Sequence, residues 1–254
     1  MQTEVHVFAF SIAANVLLSF FPFLIVCVSL GGLVFHRGTV VGALEMAFRD
    51  FFPTAMGDFL QRNVPYSEPI GLLSLFILLF SANGIFEPLE VALNHVWGIH
   101  KNRSFLRNQL VSLILIFGCG TLALLSLTLA AIRYNPYANP VERVVATGFY
   151  KAAAVPLTVL ALYIIYRYLP NGRPPVKRVL PAAIVVGALL EALKTINSFV
   201  WPAFDAKLQH EYGVFRYSAT LIFLSFLTSM LVLGGAEWAA RGHRMDRELD
   251  KAAA

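Results

Sequence analysis

The stretch VFAFSIAANVLLSFFPFLIVCVSLGGLVF, residues Val7–Phe35, contains no Asp, Glu, Lys or Arg in 29 positions. It is too long and too evenly apolar for a core helix of a small soluble domain, and it suits a chain crossing a bilayer. Further charge-free runs follow at Ile70–Phe86, Gln109–Ile132, Ala152–Tyr166, Val179–Leu190 and Tyr217–Ala236. Their number and spacing predict an all-α polytopic membrane protein with six spans, at about 7–35, 70–93, 109–132, 146–166, 179–201 and 217–237. Residues 1–254 are then one transmembrane domain.

Composition supports the same class. The chain is 57 % hydrophobic and 14 % charged, with mean hydropathy +0.67. A soluble domain carries roughly 25 % charged residues, so this surface is not built for water. The net charge of +5 sits in short clusters beside apolar runs. Anionic headgroups and orientation explain such clusters better than nucleic acid does. Cys27 and Cys119 both lie inside apolar runs and read as packing residues. No Lys/Arg-rich segment precedes Val7, and the run exceeds a signal-peptide core, so Val7–Phe35 is expected to remain as a span.

Basic residues set the expected orientation. Eleven Lys and Arg fall in the connections after spans 2 and 4 and in the C-terminal tail, against eight in the longer connections opposite. The positive-inside tendency therefore places both termini in the cytoplasm. Within Arg37–Glu68, residues Val40, Val41, Leu44, Phe48, Phe51 and Phe52 recur at helical spacing opposite Glu45, Arg49 and Asp50. This predicts an amphipathic helix in the first outer loop, on the membrane surface or over the bundle ends. Leu169–Pro175 reads as a tight inner connection.

Ionisable groups inside apolar spans are the strongest functional pointers, since each costs about 2.5–3.5 kcal/mol at mid-depth. Glu191 lies roughly 18 Å along span 5 from Val179, close to the bilayer centre. Lys194 and Ser198 follow on the same face at i+3 and i+7. In span 2, Asn83, Glu87, Glu90 and Asn94 form one stripe beside Gly84 and Pro88. Asn15 in span 1 aligns with Ser11, Ser19 and Pro22 and is expected to bond a neighbouring helix. The pairs Gly31–Gly32, Gly118/Gly120 and Gly234–Gly235 read as close helix contacts. Tyr163, Tyr166, Tyr168, Trp97, Trp201 and Trp238 read as interface anchors. His95 and His100 lie near Glu87 and Glu90 but lack the spacing of a helical zinc pair. No cofactor, metal or catalytic residue is expected, and no phosphate loop or nucleophile elbow occurs.

The motifs Ala9-Phe-Ser-Ile-Ala-Ala-Asn-Val-Leu-Leu-Ser-Phe-Phe-Pro-Phe23, Ala92-Leu-Asn-His-Val-Trp-Gly98, Tyr166-Arg-Tyr-Leu-Pro-Asn171 with Leu180-Pro181, Tyr212-Gly213, and Gly234-Gly-Ala-Glu237 lie in that order along the chain. Together they resemble the YihY/BrkB family. The match runs in order along nearly the whole chain. Where the family favours Trp and Tyr in its last span, this chain reads Leu224-Ser-Phe-Leu-Thr-Ser-Met230. The resemblance implies a six-helix bacterial inner-membrane protein of poorly defined activity. Some members carry the name ribonuclease BN, a label generally regarded as mistaken. Others are linked to serum resistance or export of lipid A precursors.

Residues and resemblance together set the functional expectation. It is a non-enzymatic envelope protein handling or translocating a lipid or amphiphile, with Glu191, Lys194, Glu87, Glu90, Asn83, Asn94 and Asn15 lining the path. The expected partners are membrane lipids and other envelope proteins, not nucleic acid. The alternatives are a scaffold without transport and, remotely, a ribonuclease.

Overall fold

The computed structural model describes residues 5–34, 86–99 and 155–252, with single positions at 44, 104, 107, 110, 111, 114, 115 and 118. All regular structure among the described residues is helical. Helix α1 is Val5–Val34, α2 spans 86–96, and α3 is Val155–Tyr168. Helix α4 is Val176–Tyr212, and a 3₁₀ turn at Gly213–Phe215 leads into α5, Arg216–Ala252.

Each boundary has a local cause. Helix α2 stops at Gly98, whose φ of 68° suits glycine. There the Gly98 N–H bonds the His95 carbonyl at 3.1 Å and the Ile99 N–H bonds the Asn94 carbonyl at 2.8 Å. These two bonds form a Schellman close. Ile99 is then thrown against the next connection, where a Cβ on Gly172 would lie 2.7 Å from its Cδ1. Helix α3 ends because Pro170, Pro174 and Pro175 cannot supply helical N–H donors. Pro175 sits in extended geometry, and its carbonyl accepts from the N–H groups of Arg178 and Val179 at 3.0 and 3.1 Å. The Arg167 guanidinium donates to the Pro174 carbonyl.

Helix α4 holds 37 residues, or roughly 55 Å, well beyond the roughly 30 Å of a bilayer's hydrocarbon. Helix α5 is equally long. Among the described residues, α4 and Arg216–His243 of α5 are each long and apolar enough to cross a membrane. Helix α1 carries no charged side chain over its 30 residues. The excess length of α4 lies past Asp205, where Lys207 and Glu211 approach to 4.0 Å. That of α5 lies past Glu237. The three-residue turn sends α5 back along α4. Asp205 and Arg216 pair across it at 3.5 Å, and Gly213 adopts φ 53°.

The core gathers at one end of this hairpin, called the basic end for Arg167, Arg173, Lys177, Arg178 and Arg241. Val179, Ala182, Ala183 and Val186 of α4 meet Leu233, Ala236, Ala239 and Ala240 of α5 there, with Leu162 and Tyr166 of α3 and Ala92 and Leu93 of α2. Small side chains permit this close approach. A Cβ on Gly235 would overlap Val186 Cγ2, and one on Gly187 would lie 2.7 Å from Val159 Cγ2. Helix α1 joins through Ile12 and through Phe10, stacked on Phe226 at 4.3 Å. The opposite, hairpin end leaves Phe199 83 % and Phe215 73 % exposed.

Several expectations shift. Tyr166 is 1 % exposed and Trp201 2 %, so neither anchors an interface; Tyr168 and Trp238 remain exposed as anchors would. Tyr166 goes inside because its hydroxyl donates to the Val232 carbonyl at 2.7 Å, which satisfies the polar tip. Gly235 is a close helix contact, but a Cβ on Gly234 or Gly118 meets nothing within 4 Å among the described residues. Asn15 donates to the Ser11 carbonyl one turn back, at 2.9 Å, so its amide bonds within its own helix. Most of the 37–68 segment lies outside the described residues; Leu44 alone is described there, helical and buried. Span 3 is described at separate positions only. Leu110 and Ile114 are exposed one turn apart, and Leu115 is buried.

Candidate functional site

The site is built on α4. From Val179 to Phe204 the helix runs 26 residues, and its only charged side chains are Glu191 and Lys194, at the midpoint. Their i, i+3 spacing places both heads on one face. Lys194 Nζ stands 2.6 Å from Glu191 Oε1. Thr158 of α3 donates to the same oxygen at 3.4 Å. Among the described residues, Glu191 Oε2 accepts no hydrogen bond. The two charged side chains keep 23 % and 22 % of their surface accessible, so the pair is partly buried. The Thr195 hydroxyl bonds back to the Glu191 carbonyl at 2.9 Å. Ser198, expected on this face, is exposed.

The α2 stripe divides. Glu87 is exposed, Glu90 and Asn94 are 3 % and 1 % exposed, and Asn83 lies outside the described residues. Asn94 Nδ2 donates to Glu90 Oε1 at 3.5 Å, and Asn94 Oδ1 accepts the Asn171 N–H at 2.7 Å. A single buried amide thus ties the end of α2 to the α3–α4 connection, directly under the Ile99–Gly172 contact. This arrangement joins two elements through Asn94, and both Glu90 and Asn94 are enclosed.

The two clusters do not converge. Sixteen residues of helix separate Pro175, beside the Asn94 clamp, from Glu191, or roughly 24 Å. Thr158 was not legible as a partner of Glu191, because a lone hydroxyl in an apolar run carries no pairing signal. Its only hint is polarity where polarity is costly.

At the basic end, the Arg178 guanidinium lies over Gly242, 2.8 Å from where a Cβ would stand. Arg241 Nε pairs with Glu237 at 2.8 Å, and the Trp97 and His243 rings approach to 6.2 Å. His95 is exposed, its ring 6.2 Å from Phe8. His100 lies outside the described residues. Among the described residues no three His, Cys, Asp or Glu side chains come together.

Comparison with known proteins agrees with this frame. The family described as Virulence factor BrkB matches residues 1–254. The chain belongs to the BrkB family. A UPF0761 membrane protein of Chlorobium luteolum is 27 % identical over 239 residues, covering 89 % of this chain and 54 % of the relative. The ribonuclease-like protein YfkH of Bacillus subtilis is 26 % identical over 252 residues, covering 92 % and 89 %. A UPF0761 membrane protein of Pseudomonas aeruginosa is 25 % identical over 198 residues, covering 74 % and 47 %. The chain therefore spans about half the length of these UPF0761 relatives. No solved structure matches it. Family and apolar helices together make this a membrane protein.

Proposed function

We propose that this BrkB-family chain is a six-span protein of the bacterial inner membrane that moves or handles a lipid or amphiphile along the face of α4 bearing Glu191 and Lys194. In this reading residues 1–254 form one transmembrane domain, both termini are cytoplasmic, and residues 37–68 carry the outer surface helix. It acts without enzyme chemistry, and its partners are membrane lipids and other envelope proteins.

One observation carries the reading. Two charges sit at the midpoint of a 26-residue apolar stretch, and their side chains remain about a fifth exposed. A purely structural pair at that depth gains by complete enclosure, since each charge costs about 2.5–3.5 kcal/mol there. A polar face left partly accessible suits a headgroup that passes while its acyl chains stay in hydrocarbon. Reconstitution in liposomes tests it. Fluorescent lipids should change leaflet faster with protein than without, and Glu191→Ala should remove the gain.

A scaffold role is the second reading, favoured by the 2.6 Å closure of Lys194 on Glu191. Exchanging the two residues, Glu191→Lys with Lys194→Glu, separates the readings. A scaffold keeps its function, and a lipid path slows. The ribonuclease-like name of the Bacillus relative predicts metal-dependent RNA cleavage by pure protein, lost in His95→Ala.

A further inference from the structure

We infer that the Glu191–Lys194 face takes a zwitterionic lipid headgroup carrying a phosphate and a primary ammonium, and selects against headgroups with net charge. The inference rests on the lipid-handling reading above and names the chemistry of that same site.

The bonds on Glu191 carry it. Lys194 Nζ and Thr158 Oγ1 both engage Oε1, at 2.6 and 3.4 Å. Oε2 accepts no hydrogen bond among the described residues, and the side chain is 22 % accessible. An ionised carboxylate accepts on both oxygens, so half of its capacity is unused among the described residues. A primary ammonium brings three N–H donors and fits an open carboxylate oxygen; a quaternary ammonium brings none. The phosphate of the same headgroup meets Lys194, directly beside that oxygen.

Charge balance supplies the selection. Glu191 and Lys194 sum to zero, and so does a zwitterionic headgroup. The complex is neutral, and each charge exchanges part of an internal contact for an equivalent external one. An anionic headgroup leaves one negative charge uncompensated in a region of low dielectric, and that penalty is not recovered. Ile184 and Leu180, at i−7 and i−11 from Glu191 and so on the same side of the helix, are exposed and apolar, a surface suited to acyl chains and of no use to a soluble ligand.

Wild-type protein in phosphatidylcholine vesicles is given trace acyl-labelled phosphatidylethanolamine, phosphatidylcholine or phosphatidylglycerol. Quenching by an impermeant reductant then reports each probe's rate of changing leaflet. The ethanolamine lipid should move fastest, the choline lipid next and the glycerol lipid slowest, with about tenfold between first and last for a partly exposed charge. Glu191→Gln removes one negative charge from the face and keeps the Lys194 ammonium, so the glycerol lipid should become the fastest. Should that variant not insert, Lys194→Gln should slow the glycerol lipid further. Excess water-soluble phosphoethanolamine should leave the rates unchanged; suppression would assign the site to a soluble ligand and overturn the proposal. Equal rates for all probes, or a faster anionic probe in wild type, overturn headgroup selection and leave lipid handling standing. No movement above protein-free vesicles overturns lipid handling, and the selection with it.

Discussion

The Asn94 clamp and the Glu191 pair are built from similar residues and do opposite things. Both set a carboxylate beside a nitrogen donor on an apolar helix. At the basic end, Glu90 and Asn94 are almost wholly enclosed, and the amide reaches on to the Asn171 N–H. At the midpoint of α4, Lys194 and Thr158 crowd one oxygen of Glu191, and the side chain stays about a fifth accessible. The difference lies in closure. A closed polar cluster specifies how elements join, whereas an open one can exchange its bonds with something else.

That contrast predicts where mutations cost stability and where they cost function. The basic end should suffer most. Gly235→Val forces a side chain into Val186 and the Tyr166 hydroxyl, and should destabilise by about 3 kcal/mol in SDS unfolding from mixed micelles. Loss of under half that amount would mean α4 and α5 are loosely packed there. Asn94→Ala removes both the acceptor of the Asn171 N–H and the donor to Glu90 and should cost about 2 kcal/mol in the same titration, with lipid movement per folded molecule retained. Glu191→Gln should cost only about 1 kcal/mol, because the pair is partly exposed, yet remove most movement of the ethanolamine lipid. If Asn94→Ala and Glu191→Gln changed stability and transport alike, the contrast would break. Ser198→Ala, exposed on the same helix, should shift stability by less than about 0.5 kcal/mol and leave transport intact.

The amino-acid sequence revealed the helices more readily than their joints. Charge-free runs located α4 and α5 because hydrocarbon tolerates few charges, and that constraint acts on every residue. It did not foretell how far each helix continues. Past Asp205 and past Glu237 helical propensity and turn chemistry decide, not hydropathy. Glu191 and Lys194 were legible as a pair since i, i+3 spacing fixes their meeting. The Thr158 contact was not, because it depends on how α3 packs 33 residues away. Tyr166 illustrates the same limit. Its place near a span end suggested an anchor, but the available Val232 carbonyl drew it inside. The split of the Glu87–Glu90–Asn94 stripe followed from the Schellman close at Gly98, which brings the α3–α4 connection over one side of α2.

Everything functional in this account depends on Glu191 and Lys194 lying at the middle of the bilayer. Depth can be measured by attaching a nitroxide at position 192, exposed beside Glu191, through Ala192→Cys in a chain whose Cys27 and Cys119 have been replaced. Relaxation by membrane-soluble oxygen should far exceed relaxation by an aqueous nickel chelate, and a label at Lys207 should show the reverse. A label at 192 relaxed mainly by the chelate, as at Lys207, would place the pair in water and contradict the account.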